Sequence, residues 1–304
     1  MDENDIFMVG YGGWVRLKRY ASGTPYNYQN PFAIAGEGTL VQATSASISR
    51  TKNIPQVMSY YLPFHDREGT ARSQMLLGDG TYSFSGEVTF ELTLGTLIEF
   101  VNEEFFERDT IFSMSFFDGQ NVCSVTNCVW NNLQIQCHPG SLVTMSISYQ
   151  SNNSYMDAIQ VKPMAQDNGL IYDENDLLVP YWTCGREHFQ EFGITFERPV
   201  TPVFLNGDLK VASYLRPGLV SVSLNATTIE YIDDWDEMIR IELGAGEDIE
   251  EHAIILKKSI LQSCQYNMST MSDTGAKTYT WNSISEDAHE RVFDILPNDR
   301  QESQ

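Results

Sequence analysis

Two acidic runs form the densest groups of reactive side chains in this chain: Asp233, Asp234, Asp236 and Glu237, then Glu247, Asp248, Glu250 and Glu251. Paired carboxylates suit glycoside hydrolysis, but that chemistry needs two acids in different electrostatic environments, one with a raised pKa. Adjacent acids in a turn are ordinarily solvated surface, and neither run has the alternating oxygen-ligand spacing of a calcium loop. The histidines His65, His138, His188, His252 and His289 are scattered, with no His-x-x-x-His pair and no Cys-x-x-Cys beside them. Zinc is therefore not expected. No Gly-x-Ser-x-Gly elbow marks a nucleophile. Gly10-Tyr-Gly-Gly13 precedes no strand–helix unit that would cradle a phosphate. Cys123, Cys128, Cys137, Cys184 and Cys264 are odd in number and lack paired spacing, so they read as free thiols made in a reducing compartment. Phe112, Phe116, Trp130, Tyr149, Tyr279 and Trp281 could stack on a sugar, but aromatic residues at period two favour a core. No enzyme, metal or cofactor is expected from these residues.

The elements that must position such groups are mostly strands. Phe, Tyr, Ser and Thr are abundant, which favours strands over helices. Thr81–Leu92 alternates most clearly, with Tyr82, Phe84, Val88, Phe90 and Leu92 on one face. Val41–Ser49 reads as a first strand with Ala46 and Ile48 inward, and Ile111–Phe117 as another. Val129–Cys137 and Leu142–Tyr149 make a hairpin around His138-Pro-Gly-Ser141. Leu97, Ile98, Val101 and Phe105 predict a helix over 97–108. Residues 1–40, rich in Gly, Tyr and Asn, read as an arm. The connection Ile54–Gly80 is long and carries Tyr60, Tyr61, Leu62, Phe64, Met75, Leu76 and Leu77. Such a loop is uncommon unless functional, and its apolar content requires a surface to pack on.

A second half restates the order. Phe192, Ile194 and Phe196 open it; Leu219–Ile229, Ile239–Leu243, Ala253–Tyr266 and Lys277–Asn282 follow as strands. Asp233–Met238, reduced to about a turn, stands where the helix was, and residues after Glu286 read as a polar tail. At one constant spacing of 132 residues, Val88, Phe90 and Leu92 meet Val220, Val222 and Leu224, while Ile147 and Tyr149 meet Tyr279 and Trp281. An internal repeat implies a building block used in multiples. The 304 residues suit two domains, 1–160 with the arm and 161–304 with a linker and the tail.

The formal charge is −22, from 16 acids and 8 bases in residues 1–160 and 25 acids and 11 bases in residues 161–304. Such a field repels phosphate backbones, so nucleic-acid binding in a basic groove is not expected. It suits a surface past which DNA must slide, and it also suits plain solubility. No apolar run reaches the roughly 18 residues of a membrane span. The N-terminus lacks the basic and apolar regions of a signal peptide.

The order strand, long loop, long strand, helix, strand and closing strands resembles the phage tail tube family, related in fold to the type VI secretion tube protein. Three passages carry the likeness: Ser45-Ala-Ser-Ile-Ser49; Ser83–Leu94 running into Leu97-Ile-Glu-Phe100; and Cys128–Ile135 followed by Gly140–Gln150. The resemblance covers 41–150 well and 189–285 more loosely. It implies an all-β-dominated (α+β) chain of two tandem tube-like β-barrel or sandwich domains, the first with a flanking helix. Domains of this family form six-fold rings that stack into a hollow tube. The loop matching Ile54–Gly80 would reach the next ring through Tyr60, Tyr61, Leu62, Phe64, Met75, Leu76 and Leu77. Three chains, or six, would close a ring. Sheath, tape measure, terminator and baseplate proteins would be partners, and the tail of the virion, assembled in host cytoplasm, the location. DNA would pass without specific binding, and no membrane is involved. Other readings are a tube initiator, terminator or baseplate hub of the same fold, a carbohydrate-binding β-sandwich using Trp130, Trp182 or Trp281, and a hydrolase using the acids at 233–237.

Overall fold

The computed structural model describes residues 14–20, 39–41, 43–53, 56–58, 75–77, 81–106, 110–117, 122–152, 181–184, 189–204, 212, 214–229, 232, 236–244, 252–267, 276–284 and 291–296. The first half holds β1 (Trp14–Tyr20), β2 (Thr39–Val41), β3 (Ala43–Asn53), β4 (Gln56–Met58), β5 (Met75–Leu77) and β6 (Thr81–Glu91). Helix α1 (Leu94–Phe100), β7 (Ile111–Phe117), β8 (Val122–Cys137) and β9 (Thr144–Ser151) complete it. The second half holds β10 (Tyr181–Cys184), β11 (Phe189–Glu197), β12 (Val200–Val203), β13 (Tyr214–Pro217) and β14 (Ser221–Thr228). It ends with β15 (Asp236–Gly244), β16 (Ala253–Asn267), β17 (Ala276–Ser283) and β18 (Phe293–Leu296). The chain is thus dominated by β-strand, and every strand pair is antiparallel.

Fourteen strands belong to one sheet, and β4–β5 and β12–β13 form two separate two-stranded ribbons. In the first half the pairing order is β1-β7-β8-β9-β6-β3; in the second it is β10-β15-β16-β17-β14-β11. These are the same permutation of six strands. Irregularities in the ladders match as well. The breaks at Ala43/Ser45, Phe112/Met114 and Trp130/Asn132 answer those at Phe189/Glu191, Glu237/Ile239 and Leu261/Ser263. A β-bulge inserts a residue and re-aims its strand, so its position is a structural marker. All three agree on one residue-by-residue correspondence, which pairs Tyr149 with Trp281 and Ile147 with Tyr279.

That correspondence corrects the constant spacing. It holds for β9 and β17, but Val88 sits opposite Ile147 and Ala226 opposite Tyr279, so Val88 answers Ala226 rather than Val220. The connections differ in length, and the matching strands drift apart in number. Other expectations also change. Trp14–Tyr20 is a strand, not part of an arm: Val15 and Leu17 alternate into the core, a period hidden by the glycines before it. Asp236–Met238 begins β15 instead of forming a turn, and Phe293–Leu296, within the expected polar tail, pairs with β16. Ala46 is exposed and Ile48 half-buried, so β3 does not bury the face predicted for it.

The helix starts where a Thr pair caps it: Thr93 Oγ1 accepts from Thr96 N–H at 3.2 Å, and Thr93 N–H donates to Thr96 Oγ1 at 2.8 Å. It stops earlier than periodicity predicts. The Asn102 amide donates to the Ile98 and Glu99 carbonyls at 2.6 and 2.9 Å, occupying acceptors at the helix end. The chain then turns Phe105 and Phe106 into the core.

One contiguous core takes side chains from both halves. Trp130, Tyr149, Tyr279 and Trp281 are among its largest buried residues. On β6 the inward row is interrupted at Gly86. The Tyr149 ring lies over it, and its hydroxyl donates to the Ser47 carbonyl at 2.9 Å. A Cβ at Gly86 would sit 2.0 Å from that carbonyl and 2.5 Å from the hydroxyl. Gly86→Ala should therefore cost about 1–3 kcal/mol through overpacking. Gly193→Ala, whose new Cβ meets nothing closer than 3.8 Å, should have little effect. Urea unfolding midpoints of the two variants check the difference.

Candidate assembly interface

The residues singled out for chemistry do not converge. Asp233, Asp234, Glu247, Asp248, Glu250 and Glu251 lie outside the described residues, and Asp236 and Glu237 open strand β15. No group of three metal-ligating side chains occurs among the described residues. His138 stands in the exposed turn between β8 and β9, 3.1 Å from Glu191. Cys128 and Cys137 are buried, and burial pushes the Cys128 thiol far above its ordinary range, so it is no nucleophile at neutral pH. Phe112, Trp130, Tyr149, Tyr279 and Trp281 are core. Tyr279 and Trp281 stack at 5.5 Å, and Trp130 stacks on Phe105 at 6.1 Å. No sugar-binding face remains on Trp130 or Trp281.

Of the apolar loop residues, Tyr60, Tyr61, Leu62 and Phe64 lie outside the described residues. Met75, Leu76 and Leu77 form β5, opposite Met58, Val57 and Gln56 of β4. This ribbon continues the β3–β6 hairpin after a short break. The second half builds the same device: β12 and β13 continue the β11–β14 hairpin, with Pro202 opposite Leu215 where Gln56 is opposite Leu77. There Leu215 and Ala212 pack with Val200 against Ile111 and Val129 of the first half. Phe204 and Tyr214 are each 37 % exposed, and Leu219 just beyond is also exposed. The sequence reading missed these residues; the repeated hairpin was the signal that would have found them.

The two halves join through β8. Along its whole pairing with β9 it uses one edge. Its other edge hydrogen-bonds β7 from Val122 to Cys128, then β11 from Asn132 to Cys137. Aromatic packing seals the seam: Phe196 of β11 lies 4.7 Å from Phe106 and 5.1 Å from Phe293 of β18, measured between ring centroids. Arg198 crosses it. Its backbone N–H donates to the Asn131 carbonyl at 2.9 Å and its Nε–H to the Trp130 carbonyl at 2.8 Å. The guanidinium lies 3.8 Å from the Trp130 ring centroid. Burial lowers its pKa to about 9, which leaves it protonated at neutral pH.

The repeat leaves two edges without this treatment. Among the described residues β3 pairs only with β6, and β16 beyond Leu261 pairs only with β17. Thr44, Ser45, Ala46, Ser47 and Ser49 are all exposed, whereas β11 buries every second residue from Phe192 to Phe196. These geometries define an antiparallel β-protein built from one six-strand pairing pattern used twice, with a strand edge at each end that no described residue covers. Neither a family model nor a curated protein matches the chain.

Because the seam belongs to one shared core, Phe196→Ala should cost about 3–5 kcal/mol. Both halves should lose stability together in a single urea transition, followed by fluorescence and circular dichroism. Two separate transitions would show that the halves fold independently.

Proposed function

We propose that this chain is a structural subunit of a bacteriophage tail tube, self-assembling into stacked rings that form a channel for DNA ejection. One observation carries the reading: a doubled antiparallel unit is joined edge to edge within the chain, and among the described residues a strand edge at each end has no neighbour. Open edges of that length invite further pairing and are ordinarily blunted or satisfied by a partner. Repetition of one heterologous contact, where its rotation closes, makes a ring and removes them.

In this reading residues 1–160 and 161–304 each supply one tube-like β-barrel or sandwich unit, with α1 flanking the first. Three chains would give a pseudo-six-fold ring, or six chains a ring decorated by the second unit. The segment 54–80, with Tyr60, Tyr61, Leu62, Phe64, Met75, Leu76 and Leu77, would make contacts between rings. The charge of −22 would keep DNA from adhering to the wall, an effect screened over about 10 Å at 0.1 M salt. Sheath, tape measure, terminator and baseplate proteins would be the partners, in the virion tail. A tube initiator, terminator or baseplate hub of the same fold is the second reading, favoured if assembly stops at one or two rings. Burial of Trp130 and Trp281 weighs against the carbohydrate-binding alternative.

Negative-stain microscopy of the purified full chain is the test. Hollow tubes with three-fold or six-fold end views are expected. A protein that stays monomeric at high concentration would overturn the proposal.

A further inference from the structure

The matched bulges assign each residue of the seam a counterpart at the open edges. Gly193–Glu197 of β11 correspond to Ser47–Thr51 of β3, and Asn132–Gln136 of β8 correspond to Ser263–Asn267 of β16. Within the chain, β11 lies on β8 along the edge that β7 has vacated. On β16 the equivalent edge is the one β15 vacates after Ile260. Gln262, Ser263, Gln265 and Tyr266 are exposed there, Tyr266 at 56 %. The strand equivalent to β11 is β3, which among the described residues has no neighbour on its outer edge.

We propose that β3 of one copy adds antiparallel to β16 of a second copy in the register of the β8·β11 seam. Thr51, Ser49 and Ser47 then stand opposite Ser263, Gln265 and Asn267 of the second copy, and Ile48 stands opposite Tyr266. The register has a charge consequence. Lys52 takes the place of Arg198, and Arg50 that of Phe196, so the contact between chains carries two cations where the seam within the chain carries one. Asp236 and Glu237, which open β15, answer Ile111 and Phe112, which open β7 beside the end of β11. The basic end of β3 therefore arrives at the acidic start of the second copy's β15. This gives part of the first acidic run a role as an electrostatic guide for register, since like charges at that place would oppose docking. The contact is heterologous, so each copy uses both edges and a closed ring leaves neither exposed.

The inference rests on the reading above only in requiring that copies of the chain associate. Its test is disulfide trapping in the full chain. Ser49→Cys with Gln265→Cys, oxidised under native conditions, should give covalent multimers whose linked 49–265 peptide is identified by mass spectrometry. The shifted pair Ser47→Cys with Gln265→Cys should link several-fold less, because cross-strand cysteines bridge only at Cα separations of roughly 4.4–6.8 Å. Separately, Arg50→Glu with Lys52→Glu should weaken association at least tenfold in sedimentation at low salt. Adding Asp236→Lys and Glu237→Lys should restore it. Multimers without the 49–265 link, equal linkage of the shifted pair, or no rescue by the charge swap would overturn this register and leave the tube reading standing. Linked closed rings that never stack would support the register and overturn the tube reading. Monomers alone would overturn both.

Discussion

Strand β8 has two edges and three partners, and the rest of the molecule is arranged around that fact. One edge is taken throughout by β9. The other must be divided, and it is divided in sequence: β7 holds it up to Cys128, and β11 takes it from Asn132. Asn127, with a positive φ of 53°, falls near the end of the β7 pairing, and the bulge at Trp130/Asn132 leads into the β11 pairing. A bulge increases local twist and bends its strand, so β7 and β11 can each lie flat on β8 without colliding. Arg198 and Trp130 fasten the handover point. Backbone groups of both residues are paired there, and the cation covers the indole face.

The two halves share their ladders more faithfully than their side chains. Gly86, Tyr149 and Trp130 lie in a row across three strands of the first half. Leu224, Trp281 and Leu261 occupy the corresponding row in the second. Where the first half sets a tyrosine over a glycine with a tryptophan on the next strand, the second places one tryptophan between two leucines. Cores tolerate such exchanges when total volume and pattern are kept. A bulge is less forgiving, because moving it by one residue turns the rest of the strand inside out. The repeat therefore survives in the bulges after it has faded from the sequence.

Period-two patterning marked β6, β11 and β17, because each buries alternate residues and leaves those between them less covered; it also marked β7, although Ile111, Phe112, Ser113 and Met114 are all buried there. It failed at β1, whose short alternation is embedded among glycines, and at β18, a four-residue strand in a polar surrounding. It overextended α1, since periodicity does not see the Asn102 amide occupying the carbonyls at the helix end. Of the aromatic residues at period two, Phe112, Trp130, Tyr149, Tyr279 and Trp281 are core. The acidic run at 233–237 gave no sign that Asp236 and Glu237 open a strand, because that depends on their pairing with Ile260 and Ser259 of β16.

Composition and alternation alone determined that this chain would be mostly strand and strongly acidic. Those properties follow from local preferences and from residue counts, which need no partner. The order of the strands, the division of β8 between β7 and β11, and the edges left open were decided only by the tertiary structure. Hydrogen-bonding edges carry no side-chain signature: the backbone N–H and C=O groups of β3 are those of any strand, and only the arrangement of every other strand determines that no described neighbour covers them.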